Sequence, residues 1–550
     1  FLFWLSRHHF LWSGSTLISG ASWLDEHFNI PIRSICSLLF ISIAILTFRL
    51  SIVSELFRKL SINFLLAISA FLLFIEWSIT PLLQWFVVRP RELQLEKKYI
   101  DRSINSTRMA FKLNSIKTRL INPNSEIKNS DLLLGESTLK NIRLWDSQPL
   151  LATNRQLQQL RVYYRFTNAS VDRYQLNSTN NQRQQVIITA RELDQEALPK
   201  SSMTWLNKHF IFTHGYGFTV SPVNTKAVDG LPEYFISDLG SSTKISGNKN
   251  LGISNSDVAT AIPIANAAIY FGVLPSPYAV VPSKLEELDY PEGNQNIFNH
   301  YSGLGGIPIF NILNRVSISI YLKEPRLLNT DSITRDTKIL LRRDIKDRVR
   351  AIAPFLDVIG DPYLISVSLS EPPSSYNQNQ HLYWIVEGYT SSRTYPYSSK
   401  LSADNPVRYI RNSVKIIVDA YSGKIFMYIN EPNDPIIKAW SRVFPNLFNS
   451  LKSMPPEIRD HIKVPTEFFE VQVNKLLRFH VTDSKTFYNG DDVWEVPKEL
   501  YGQNQINVEP YHITAQLAPG EESEFLLLQP LSPLGRPNLS AWLAARNDGT

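Results

Sequence analysis

Thr213-His214-Gly215-Tyr216-Gly217 is the nearest this chain comes to a reactive constellation. A histidine can serve as general base or metal ligand near neutral pH. Its glycine neighbours would let backbone come close to a ligand. The competing reading is a strand-end turn with His214 hydrogen-bonded to backbone. A base also needs an orienting partner, and Asp229 and His209 are the candidates to meet it in space. Asp289, Glu292, Asn294 and Asn296 place oxygen ligands in the short Pro/Gly stretch 289–299, a chemistry that suits calcium. The spacing of a true calcium loop is missing, so a solvated turn competes, as it does for Asp491 and Asp492. Tyr389, Tyr395 and Tyr397 lie beside Arg393, which suits glycan or peptide recognition, or packing. Glu76 stands inside an apolar run. A carboxyl group at membrane depth often marks an ion or proton path. The alternative is a neutral Glu76 hydrogen-bonded to a neighbouring helix outside this chain.

Other chemistries lack their residues. No Walker-type loop occurs, and Gly303-Leu304-Gly305-Gly306 follows His300-Tyr301-Ser302, not a strand. No pair of histidines has the zincin spacing, and no Gly-x-Ser-x-Gly elbow is found. Cys36 is the single cysteine, which excludes an intrachain disulfide and a multi-thiolate zinc site. The formal net charge of +6 is spread out, with no Lys/Arg block of a nucleic-acid arm. We expect no cofactor, no nucleic-acid partner and no recognisable catalytic motif.

The elements that would position these residues divide into a membrane part and a water-facing part. Residues 1–30 read as an interfacial or truncated membrane segment followed by an external loop. Phe1 to Trp12 is apolar but carries Arg7, His8 and His9, which a span rarely tolerates. Residues 31–88 hold two apolar runs, Pro31 to Phe48 and Ile62 to Val88, each near the length a bilayer requires. Arg33 and Arg49 flank the first and are placed to snorkel outward. Ser15 to Asn29 carries Asp25 and Glu26 without a basic residue, whereas the loop between the runs carries Arg49, Arg58 and Lys59 against Glu55. Basic loops stay cytoplasmic, so residues 89–550 are expected outside, although Arg89, Arg91, Lys97 and Lys98 pull the other way. The expected partners are membrane lipid and other envelope proteins or wall material. The chain opens on Phe1 in an apolar stretch and closes on Asn547-Asp548-Gly549-Thr550. We read it as a portion of a longer protein.

Residues 89–330 and 331–550 form two parts of an α+β region. A charged helix is expected over Arg91–Arg108, strands near Val162–Phe166 and Gln185–Ala190, and mostly loop over Asn168–Gln185. Trp205–Val220 should be strands broken by Gly215 and Gly217. Ser237–Ser256 should be loop, and Ala268–Phe271 should pair with Tyr278–Val281. Apolar residues at helical spacing predict one helix over Ser332–Phe355. A strand over Tyr383–Glu387, a hairpin of Val414–Val418 with Lys424–Ile429, helices over Pro435–Phe448 and Thr466–Phe479, and strands over Tyr511–Gln516 and Glu524–Gln529 follow.

Several strings together resemble one bacterial integral-membrane family, uncharacterised protein family 0182. They are Val87-Val88-Arg89-Pro90-Arg91-Glu92-Leu93, Phe212-Thr213-His214-Gly215-Tyr216-Gly217 with Ser221-Pro222-Val223-Asn224, Asp229-Gly230-Leu231-Pro232, Leu288-Asp289-Tyr290-Pro291, Tyr409-Ile410-Arg411-Asn412-Ser413 and Arg536-Pro537-Asn538-Leu539-Ser540. The coverage is nearly the whole chain. One departure is Arg91, which stands where the family pattern has Asn. The resemblance implies a multi-span protein with a large region outside the cytoplasmic membrane. It carries no activity over to these residues.

Overall fold

The computed structural model describes residues 2–14, 18–48, 55–121, 129–176, 183–238, 251–264, 266–292, 295–370, 382–517 and 522–548. Helix and sheet are mixed, at 38% helical and 25% strand.

Both apolar runs are helical. Ile30–Phe48 forms one helix and Glu55–Leu83 the other, continued by a wider turn over Gln84–Val88. Both are long and apolar enough to cross a membrane by length and composition. Arg49 lies outside the described residues. Arg33 Nε donates to Glu76 Oε1 at 2.8 Å, and Thr80 Oγ1 donates to Asn29 Oδ1 at 2.8 Å. These two pairs fix an antiparallel register. They also correct two expectations. Arg33 turns toward Glu76 instead of snorkelling away, and the partner of Glu76 belongs to this chain. An ionisable group among apolar neighbours is stable only when paired, and Arg33 is the cation within reach.

The same register sets Glu26 opposite Leu83. Yet Arg102 Nη1 donates to Glu26 Oε2 at 3.2 Å, and Trp23 N donates to Glu96 Oε2 at 3.0 Å. A straight helix would carry Arg102 about 28 Å past Leu83. The chain therefore bends at Arg89-Pro90-Arg91. Pro90 lacks a backbone donor, and Arg91 leaves helical geometry at φ −130°. The next helix, Glu92–Ala110, runs back across the top of the first.

Glu92–Ala110 is anchored at both faces. Ser19 N donates to Ser103 Oγ at 3.2 Å, and Ile18, Tyr99, Ile100 and Ile104 share a core with Phe468, Phe469 and Val473. Its last carbonyls, on Met109 and Ala110, accept from the Arg411 guanidinium. Gln472 Nε2 donates to Phe111 O at 3.3 Å. A cation at a helix C-terminus meets both the orphan carbonyls and the negative end of the dipole.

Two six-stranded sheets dominate the rest. In the first, Gln184–Leu193 is the central strand and pairs antiparallel with Tyr164–Phe166, Ser170–Tyr174 and Phe218–Pro222. The strand Ser170–Tyr174 falls inside the stretch expected as loop. Its alternation is masked by Asp172 and Arg173, both buried in ionic contacts. In the second, Leu382–Ser392 and Tyr409–Asp419 pair over their whole length, and Ile425–Ile429 closes the expected hairpin with Gly423 at φ 69°. The largest core runs across residue 330, from Tyr174 to Ile437.

The helix expected over Ser332–Phe355 is instead a strand, Lys338–Leu340, and a shorter helix, Ile345–Ile352. Arg342 takes φ 50° and Asp344 caps the helix through its side chain, so the chain turns between them. Ala268–Ile269 pairs with Gly215–Tyr216 and Ala279–Val281 with Lys338–Leu340, not with each other. Asn207–Ile211 is a helical turn within the expected strands, and Gly252–Ile253 is a short strand within the expected loop. Residues 239–250 of that loop lie outside the described ones. Pro435–Val443 is helical and Phe448–Ser450 is a strand, while Thr466–Phe479 is helical as expected.

Candidate functional site

His214 sits just before the two-residue strand Gly215–Tyr216, and its side chain is fully enclosed. The glycine that follows is required by packing. A Cβ on Gly215 would lie 2.7 Å from Arg191 O and Glu192 Cα. What approaches the histidine string closely is therefore the backbone of the central strand Gln184–Leu193.

The ring has partners on three sides. Its Nδ1 lies 2.9 Å from Thr213 Oγ1, its Nε2 lies 3.1 Å from Asp289 Oδ1, and Tyr270 stacks on its face at 4.3 Å. Thr213 Oγ1 donates to Glu287 Oε2 at 2.6 Å, and Tyr270 OH donates to the same oxygen at 2.7 Å. Tyr301 N donates to Glu287 Oε1 at 2.8 Å. A hydroxyl has one proton. Thr213 spends it on Glu287, so toward the ring it accepts from Nδ1. Glu287 and Asp289 reach one site from the same strand, whose register shifts at Asp289.

A cation closes the cluster from behind. Arg343 donates through Nε to Tyr270 O at 2.8 Å, through Nη1 to Pro277 O at 3.1 Å, and through Nη2 to Thr213 O. Burial lowers its pKa to about 10, with Tyr270 and Glu287 opposing. Burial likewise raises the phenols of Tyr270, Tyr301 and Tyr421, the first with Glu287 adding to the effect. Tyr301 stacks on Tyr421 at 5.0 Å, and Ser302 N donates to Tyr421 OH at 3.0 Å. The result is a buried polar knot that joins six separate segments of the chain, at Thr213–His214, Tyr270, Glu287–Asp289, Tyr301–Ser302, Arg343 and Tyr421. Its one partly open group is Asp289, 13% exposed.

The other candidates lie apart from this knot. Asp229 is in an exposed turn and accepts from Leu231 N at 3.1 Å. His209 stacks on Tyr278 at 3.8 Å, and burial lowers its pKa to about 4. Neither orients His214. Asp289 belongs to the hairpin of Glu287–Glu292 with Gln295–Asn299, and Asn294 lies outside the described residues. Asp491 accepts from Asn489 and Asp492 faces His480. Tyr389 is buried, Tyr395 stacks on Tyr409, and Tyr397 donates its backbone N–H to Leu11 O. Among the described residues no group of three or more His, Cys, Asp or Glu is placed to hold a metal ion. The residues that sequence reasoning did not bring to His214 are Tyr270, Glu287, Tyr301, Arg343 and Tyr421. Only the spacing of Glu287 and Asp289 along one strand offered a signal.

A family model matches residues 1–550 under the description Uncharacterised protein family (UPF0182). The chain belongs to that family. It is 60% identical over 548 residues to a UPF0182 protein of Prochlorococcus marinus (strain MIT 9313), covering 100% of this chain and 57% of that relative. A UPF0182 protein of Synechococcus sp. (strain CC9311) is 57% identical, with 100% and 58% covered. A Synechococcus elongatus UPF0182 protein is 44% identical, with 99% and 57% covered. The chain thus spans less than two thirds of the length of these relatives. No solved structure matches it.

Proposed function

We propose that this chain is part of a multi-pass membrane protein that holds a large head outside the cytoplasmic membrane, where the head binds or scaffolds other envelope proteins or wall material. One observation carries the reading: both candidate spans return to the same side of the chain's fold, and the helix that leaves them, Glu92–Ala110, is built into the head. Arg411 and Gln472 grip its end, and Ile18 and Ser19, ahead of the first span, pack along it. The acidic stretch 15–29 and the basic loop 49–61 favour the head outside.

An envelope enzyme using His214 has weaker support, because the ring is sealed and its nitrogens are committed. A transport role for Glu76 is weaker as well, because the carboxylate is held by Arg33.

The test is protease access in intact cells to a tag inserted in the head. Cleavage from outside, together with retention of the protein in membranes after alkaline carbonate washing, supports the reading. A tag shielded from external protease, or a protein that salt alone releases, overturns it.

A further inference from the structure

The helix Pro435–Val443 packs Trp440 against the core and leaves apolar side chains exposed at its C-terminal end. Trp440 stacks on Phe355 with ring centroids 4.2 Å apart, and Phe444 lies parallel to Phe355 at 5.7 Å. Beside this stack Val443 is 60% exposed and Phe444 43%. Large apolar side chains grouped at a surface mark a docking face. The face is also cationic. Lys438 and Arg442 are exposed on the helix, and neither is ion-paired among the described residues. Residues 435–456 contain Lys438, Arg442 and Lys452 and no acid.

The helix starts where the cross-running helix Glu92–Ala110 stops: Lys112, just past that end, pairs with Glu431. Asp434, the N-cap, accepts from Tyr409 OH at 2.6 Å, and Tyr409 stacks on Tyr395 at 5.2 Å. Two residues on, Tyr397 N donates to Leu11 O at 2.8 Å, and Arg408 donates to Trp12 O. The segment so held reaches the first candidate span, where the Arg33 guanidinium lies 4.5 Å from the Phe10 ring centre. The N-cap of the helix is thus linked, through buried Tyr409, to the segment that meets the first candidate span.

We propose that the Trp440–Val443–Phe444 face, with Lys438 and Arg442, is a second membrane contact that docks on an anionic phospholipid surface. The inference rests on the membrane reading above. An amphipathic helix with aromatics on one side and unpaired cations beside them binds the interface of an anionic bilayer. The spans already hold the head near the lipid, so this contact forms intramolecularly and needs little affinity of its own.

The experiment uses the full chain carrying Cys36→Ser and Val443→Cys, spin-labelled at 443 and reconstituted in phosphatidylglycerol-containing or pure phosphatidylcholine vesicles. Collision with lipid-soluble oxygen and with a water-soluble nickel chelate is compared. The expected result is about a tenfold fall in nickel access in the anionic vesicles only, reversed by Lys438→Gln with Arg442→Gln. A Phe444→Cys label should behave alike, and a Val228→Cys label should stay water-exposed throughout. Full nickel access in both lipids overturns the proposal and leaves the face to a soluble partner. Protection in both lipids overturns the anionic assignment. Carbonate washing of the same vesicles separates the two ideas: released protein sinks the membrane reading, and retained protein with a water-accessible label sinks the docking alone.

Discussion

Arg33 and Glu76 meet at 2.8 Å between the two candidate spans, a cation from one helix and a carboxylate from the other. Removing one partner strands the other among apolar side chains. Glu76→Gln or Arg33→Gln should each cost about 3 kcal/mol of stability, while the double variant should recover part of that loss. Thermal unfolding in detergent measures it. Additive single losses would mean that the pair is not coupled.

His214→Ala removes the ring that links Thr213 to Asp289. The expected cost is about 3 kcal/mol, because a fully buried ring that bonds Thr213 and Asp289 and stacks on Tyr270 is lost. Tyr270→Phe removes one donor to Glu287 and should cost about 1–2 kcal/mol. Denaturant unfolding of the two variants checks this order. A His214→Ala protein of wild-type stability that loses its cellular role would instead favour the enzyme reading.

Burial holds two lysines below their ordinary range. Lys475 is pushed down to about 8 by burial and then by Arg408, and Lys463 to about 8 by burial, with Asp172 opposing. Their folded pKa values lie below the unfolded value, so between about pH 8 and pH 10 the unfolded chain binds more protons. Stability should therefore rise with pH across that window. Lys475→Met should flatten the rise, by an amount on the order of 3 kcal/mol, since Lys475 donates to Ser399 Oγ and Lys400 O and lies over aromatic rings, with no carboxylate paired to it among the described residues. Urea midpoints at pH 7.5 and 9.5 decide it.

Acid acts through a different group. Burial disfavours the charge of Asp172, but His461 at 2.8 Å outweighs it with help from Lys463 and Arg173, and the carboxyl titrates at about 2. A folded value below the unfolded one gives stability that is complete above about pH 4 and lost as pH falls toward 2. Asp172→Asn should remove that acid-sensitive share and also strand His461. Unfolding curves between pH 2 and pH 5 would show a shallower pH dependence than wild type.

Arg411→Ala leaves the carbonyls of Met109 and Ala110 without their cation. The expected cost is about 1–2 kcal/mol, with faster proteolysis after Lys112. Unchanged cleavage would mean that Gln472 and the Phe111 packing hold the helix end alone.

Hydropathy determined much of this protein by itself. The two apolar helices, the helix after Arg91, the Thr466–Phe479 helix and the hairpin around Gly423 were legible because period and turn chemistry are local properties. Ser332–Phe355 was misread for the complementary reason: Ile339 and Leu340 fit helical spacing, but Asp344 caps a new helix and Arg343 is drawn inward by three carbonyls from distant loops. Pairings between remote residues were decided by the tertiary structure alone. Nothing near His214 in sequence announces Glu287, and nothing near Glu76 announces Arg33. Burial makes each charge seek its complement wherever the fold brings one, and that choice depends on which strands and helices become neighbours, not on their order along the chain.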